Sequence, residues 1–381
     1  MNVSAADLAR ARATGTSYRV EVERRIAYEV RETIGSAFDL ADSSLADALE
    51  GRPVFVVVDR RVDAIYGTAL RAYAATALRC LAIHPLHAVE TTKSLSSVES
   101  LCAAMHAAGL PREGVLLAVG GGVTLDQAGL AAALYRRGVC YARLPTTLVG
   151  IVDVGVGIKQ AVNAEGGKSL IGAFYPAYVN LTDTTFLGSL PEPAIACGIA
   201  EIAKMGMICD ARLFELLERD GADLLASRFQ HHPSAREVIA RAQTTMIDEL
   251  RENLFEDDHA RFVDFGHTFS PALEARTGYQ LAHGEAVGVD MALATAIAVE
   301  LNLCEAAVLG RLAALLRAAR LPVVHDALEL ELALEALSAA RAHRGGALNL
   351  VVPRRVGAVT FVQTVEPALL AAALARVRSA A

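Results

Sequence analysis

"LLAVGGGVTLDQAG", residues 116–129, begins as an unbroken apolar run, passes through three glycines and continues into a helical pattern. An apolar run of this kind is the signature of a strand buried on both faces. Glycines at its carboxyl end let the backbone come close to a ligand, and the start of the following helix favours negative charge. That combination suits a dinucleotide pyrophosphate. The spacing is not a strict G-x-G-x-x-G, and the same residues also serve as a plain tight strand–helix turn.

The flanking sequence repeats the theme. "PVFVVVDRRV" (53–62) is a second continuous apolar strand, ending in Asp59. An acid there suits a ribose, although strand-end acids are common without any role. "DAIYGTALRAYAATAL" is helical, and "CYARLPTTLVG" is a third strand. Strands alternating with helices to about residue 190 predict a parallel α/β sheet. Beyond "SLPEP" (189–193) the strand-like runs give way to Ala/Leu-rich helices, until "ALNLVVPRRVGAVTFV" supplies a strand pair before a last helix. The expected organisation is therefore a dinucleotide-binding α/β domain over 1–190 and a mainly α-helical domain over 191–381.

A chain of 381 residues, 53% hydrophobic and 21% charged, buries large cores. Its net charge of −7 provides no general basic surface, so no nucleic-acid partner is expected. Asp126 and Asp290 lie inside the most apolar stretches, which argues against membrane spans. The N-terminus lacks an apolar signal region, and the six cysteines are scattered without a C-x-x-C pair. A cytoplasmic, reducing setting follows as the expectation.

Three stretches carry candidate chemistry. "GVGIKQAVNAEGGKSLIGAFYP" (155–176) reads as a glycine-rich loop in which Lys159, Asn163 and Lys168 wrap an anion, with Arg137 of "LYRRG" as a further cation. A solvated surface loop is the plainer reading. "CGIAEIAKMGMI" places Glu201 and Lys204 three apart in an otherwise apolar helix. That is either an ordinary i,i+3 pair or a carboxylate that needs a metal or a cationic cluster. In "DFGHTFSPALEART" and "LAHGEAVGVDM", a short and a long helix forming an antiparallel hairpin would bring His267 near His283. With Glu201 they would form a two-His, one-carboxylate set suited to a catalytic Zn²⁺, although a histidine beside a glycine also serves as a packing or capping residue.

Taken in order, "GGGVTLDQAG", "YRRG", "LPTTLVGIVDVGVGIKQAVN", "GGKSLIGAFYP", "SLPEPAIACGIAEIAKMGMICD", "DFGHTFSPALE" and "HGEAVGVDM" resemble the sugar phosphate cyclase superfamily, whose best-known members are the dehydroquinate synthases. The resemblance runs from about residue 53 to 360. It implies an NAD-binding α/β domain, a helical metal-binding domain, a cleft between them and a homodimer. It places the metal, Zn²⁺ or Co²⁺, on Glu201, His267 and His283. It places NAD on Asp59, Glu90, Lys93, Gly121, Gly122, Asp126, Thr146 and Thr147. The sugar phosphate and its chemistry fall to Asp153, Lys159, Asn163, Lys168, Lys204 and Arg137.

Departures from that pattern choose among substrates. Dehydroquinate synthases carry Asn three residues before the first metal histidine and a second His four after it. Here Asp264 and Pro271 stand there. His343, in "RAHRGGALNLVVP", falls about where those enzymes have a substrate-contacting lysine. Gaining an anion and losing a cation both disfavour a carboxylated substrate. Asp264, "HTFSP" and "PTTLVGIVDVGVGIK" resemble instead the cyclases that act on sedoheptulose 7-phosphate, notably the 2-epi-5-epi-valiolone synthases, and imply that Asp264 and His343 hold hydroxyls. Ser169 stands where relatives usually carry Asn. The rival readings are 2-epi-valiolone or desmethyl-4-deoxygadusol formation from the same sugar, dehydroquinate synthesis, a group III metal-dependent alcohol dehydrogenase and a non-catalytic binding protein of the same fold.

Overall fold

Strand β2 (Pro53–Asp59) is buried along its whole length, as its unbroken apolar sequence requires, because helices cover both faces of the sheet it centres. The structure, a computed structural model, describes residues 18, 20–23, 25–165, 167–343 and 346–380, the side chain of His343 excepted. The first half alternates β1 (Glu29–Glu32), α1 (Ser44–Leu49), β2, α2 (Arg60–Ala77), β3 (Arg79–Leu86), α3 (Leu95–Ala107), β4 (Val115–Gly120), α4 (Gly122–Leu134) and β5 (Cys140–Pro145). An antiparallel hairpin, β6 (Lys159–Ala164) and β7 (Gly167–Phe174), precedes β8 (Val179–Thr182). Six parallel strands form one sheet in the order β1-β8-β5-β4-β2-β3.

That order places the site. β3 lies on one side of β2 and β4 on the other, so the chain reverses its winding direction between β2 and β4. The crevice outside their carboxyl ends, where Asp59 and Gly120–Gly122 sit, is the topological switch point at which such sheets bind ligands. Phe55, Val57, Leu116 and Ala118 face one apolar layer with α3 and α4. The alternate residues Val54, Val56, Leu117 and Val119 face a second layer with Leu70 and Tyr73 of α2.

The second half is helical: α5 (Glu192–Ile208), α6 (Ala211–Ala226), α7 (Ala235–Arg251), α8 (Ser270–Arg276), α9 (His283–Glu300), α10 (Ala306–Ala318), α11 (Leu330–His343) and α12 (Pro367–Ala380). The pair β9 (Leu350–Arg355) and β10 (Ala358–Val362) packs on it. Helices α5 and α9 are buried nearly all round. Leu148, Ile151 and Val152, which follow β5, join this second core and bind the halves together.

One expectation is corrected. Residues 159–174 form a two-stranded hairpin lying along α4 rather than a glycine-rich loop. The alternating Gln160 and Val162 are buried, a period of two that the surrounding glycines concealed.

Candidate active site

Three elements bring three ligand-type side chains together. Glu201 lies in the middle of α5, His267 in the turn before α8, and His283 is the first residue of α9. Their donor atoms all fall within 4.8 Å of one another. His283 Nε2 is 3.2 Å and His267 Nε2 3.8 Å from Glu201 Oε1. Ligands about 2.0–2.1 Å from a tetrahedral centre are separated by about 3.3 Å, so these side chains need move little to share an ion.

Electrostatics supports the same fit. Neither buried oxygen of Glu201 receives a well-directed hydrogen bond, although Oε2 forms an ion pair with the buried Lys204 Nζ at 2.6 Å. Burial raises the pKa of Glu201, but Lys204 and the two histidines hold it well below the ordinary carboxylate range. Burial, reinforced by Lys204, pulls His267 down to about 4, leaving a neutral ring whose Nδ1–H donates to Phe265 O. Burial also pulls on His283, yet the nearby carboxylates of Glu201 and Glu274 push it up to about 9. Its Nε2 proton faces Glu201, in the place a metal cation would take. Behind it, Nδ1 donates to Glu274 Oε1 at 2.9 Å, an orientation usual for metal-bound imidazole.

Two cavities are lined by the first turns of α4, and one of them also reaches Lys204 and His267. One, of about 590 Å³, is lined by Asp59, Gly121, Gly122, Thr146 and Thr147. A Cβ at Gly121 would come within 2.9 Å of Thr147 Cγ2, and one at Gly122 within 3.4 Å of Val154, so side chains there would fill the space a pyrophosphate needs. The other, of about 410 Å³, is lined by Asp126, Asp153, Lys159, Ser169, Lys204, Asp264 and His267. Gly122 and Asp126, one turn apart on α4, mark the boundary between the two.

Not every expected residue stands in a cavity wall. Lys93 pairs with Asp126 at 2.5 Å, and Asn163 donates to Glu90 Oε1 at 2.8 Å while accepting from Ser169 N. These contacts tie the hairpin to the nucleotide side. Lys168, expected on a phosphate, is instead ion-paired with Glu274 behind His283. Arg137, expected as a further cation, follows α4 just before β5 begins, at the amino-terminal edge of the sheet, and does not line the cleft of a single chain. His343 ends α11, and its side chain lies outside the described residues.

Other groups lacked a readable sequence signal. Arg261 pairs with both Glu256 and Asp264, and Glu256 pairs with Lys159 at 2.8 Å. Asp264 is therefore a charge-balanced acid rather than a bare one. Its i,i+3 spacing from Arg261 was visible, but such spacings are common on any surface. Arg143, fully buried on β5, donates to Val154 O and Gly157 O and so shapes the turn between Asp153 and Lys159.

Comparison with known proteins matches residues 83–197 to the 3-dehydroquinate synthase N-terminal family and residues 198–341 to the 3-dehydroquinate synthase C-terminal family. The chain is 45% identical over 357 residues to a 2-epi-5-epi-valiolone synthase of Streptomyces glaucescens, covering 92% of this chain and 88% of that one. Its fold matches ValA, the 2-epi-5-epi-valiolone synthase of Streptomyces hygroscopicus subsp. jinggangensis 5008 solved with NAD⁺ and Zn²⁺ bound. There the TM-score is 0.91 and the identity 38%, over 95% of this chain and 99% of that one. A 2-deoxy-scyllo-inosose synthase complexed with carbaglucose-6-phosphate, NAD⁺ and Co²⁺ matches with a TM-score of 0.77 at 25% identity, over 91% and 96%.

Proposed function

The chain belongs to the 3-dehydroquinate synthase family of sugar phosphate cyclases, and we propose that it works as a 2-epi-5-epi-valiolone synthase. Sedoheptulose 7-phosphate is oxidised at one hydroxyl, loses phosphate by β-elimination, is reduced again, opens and closes by an intramolecular aldol to a C7 cyclitol. The observation that carries this reading is the continuous 45% identity to a synthase of that reaction over 92% of the chain. Glu201, His267 and His283 would hold the metal, and the crevice at Asp59, Gly121, Gly122, Thr146 and Thr147 would hold the nucleotide. Bound NAD⁺ accepts and returns the hydride, and bound Zn²⁺ or Co²⁺ polarises the oxygen being oxidised.

The remaining work falls to the chain's own side chains. Lys204, kept protonated despite burial by Glu201, Asp153 and Asp264, balances negative charge beside the carbonyl. The half-exposed ammonium of Lys159 is positioned for the phosphate. Asp153 and Asp264 accept hydrogen bonds from sugar hydroxyls. Two further assignments complete the proposal. A second copy would cover β7, whose outer edge pairs with no strand among the described residues and which exposes Leu170, Ile171 and Phe174. A reducing cytoplasm suits six cysteines that are all unpaired. No described helix is long and apolar enough to cross a membrane.

The test is incubation of the protein with NAD⁺, Zn²⁺ or Co²⁺ and sedoheptulose 7-phosphate. Equimolar phosphate and C7 cyclitol should appear without net NADH, and NMR of the product separates 2-epi-5-epi-valiolone from its stereoisomers. Phosphate release only from the carboxylated precursor of dehydroquinate, or net NADH from simple polyols, would overturn the reading.

A further inference from the structure

One wall of the substrate cleft is a chain of four charges, Lys159–Glu256–Arg261–Asp264. Glu256 is its hinge, pairing both cations at once. It sits in a loop closed by Asn253, whose Nδ2 donates to Asp258 O at 2.6 Å and whose Oδ1 accepts from Asp258 N at 3.1 Å. Its backbone is left-handed, with φ 60°, a conformation that costs a non-glycine residue about 1–2 kcal/mol and persists only where the surroundings hold it. The side chains of Glu256, Arg261 and Asp264 are only 17%, 18% and 9% exposed, so their charges are poorly screened.

We infer that Glu256 is a specificity-determining residue: its carboxylate occupies Lys159 and Arg261, so the wall accepts a hydroxyl-rich sugar and rejects one bearing a carboxylate besides its phosphate. This deepens the cyclase reading above and rests on it. A carboxylate entering a partly buried cleft must replace its water with a cation. The phosphate, common to both sugars, draws on Lys159; with Glu256 and Asp264 already on Lys159 and Arg261, no cation of this wall is left for a second anion, which has to break an existing pair. A neutral hydroxyl breaks none, since it can both donate to Asp264 and accept from Arg261. Discrimination thus comes from the cations being already engaged, and Asp264 alone does not account for it.

The experiment measures, by calorimetry on the Zn²⁺-loaded full chain without NAD⁺, so that neither sugar is turned over, the dissociation constants of sedoheptulose 7-phosphate and of the carboxylated heptulosonate phosphate that precedes dehydroquinate. Glu256→Gln keeps the side chain's size and leaves one positive charge uncompensated. It should shift the ratio of the two constants toward the carboxylated sugar by about tenfold, the scale of one unscreened charge at several ångströms. Glu256→Asp should restore most of the original ratio. Arg261→Gln, which removes a cation from the same wall, should shift the ratio the opposite way and keeps the inference testable if the loop tolerates Glu256 changes badly. A ratio unchanged within twofold in both Glu256→Gln and Arg261→Gln overturns it. Failure of the wild-type chain to turn over sedoheptulose 7-phosphate would instead sink the functional reading, while the ratio still reports on Glu256.

Discussion

Asp290 lies on α9 with only 1% of its surface exposed, and its Oδ2 accepts from the backbone N–H groups of Phe269 and Ser270. It thereby pins the segment that follows His267. Its other oxygen has no hydrogen-bond partner among the described residues, and burial pushes the carboxyl up to about 7 against the N–H donors that favour its charge. The sign of the effect follows. Below about pH 4 the group is neutral whether the chain is folded or not. From there to about 7 the folded protein keeps a proton that the unfolded chain has released, so stability falls as pH rises through that window. The loss is on the order of a few kcal/mol. Asp290→Asn lacks this titration, so its melting temperature relative to wild type should climb between about pH 4 and 7. Parallel profiles would show that Asp290 is ionised throughout. In sequence, this acid argued only against a membrane span, because nothing local reveals which backbone groups a buried carboxylate will meet.

At the level of elements, the metal-type set depends on how closely α9 approaches α5. Gly284, next to His283, lies so close that an added Cβ would meet Cys197 Cα at 2.3 Å and Cys197 O at 2.7 Å. These are backbone atoms, which cannot swing aside. Gly284→Ala should therefore cost about 1–3 kcal/mol and draw His283 away from Glu201. Thermal melts and chelator competition for Zn²⁺ should both register it. Gly310→Ala, inside α10 with open space around its Cβ position, is the control and should stabilise by about 0.5–1 kcal/mol. Equal behaviour of the two variants would remove the packing argument. The elements themselves were largely legible: the apolar runs at 53–59 and 115–120 are strands, and the short helix after His267 and the long helix from His283 both form. The hairpin at 159–174 was not, because glycines and lysines mask a period of two when only one face is buried.

Across the whole molecule, the halves are joined at the site itself. Lys168 of β7 crosses to Glu274 of α8, which holds His283, a contact between residues 106 apart in sequence. Lys168→Ala should release Glu274 and weaken Zn²⁺ binding by about tenfold, the lower end for loss of a group that orients a metal-bound histidine. An unchanged Zn²⁺ affinity would make the contact incidental. Sequence by itself determined the strand–glycine–helix turn, the alternation that makes a parallel sheet, and the kinds of side chain offered to a metal and a phosphate. Those depend on periodicity and residue type within a few positions of one another. Only the tertiary structure decided that Lys168 serves Glu274, that Arg137 stands at the amino-terminal end of β5, and that Asp264 is balanced by Arg261, which it shares with Glu256. Which charges meet depends on how closely packed elements approach, and that distance is set by side chains far away in the chain.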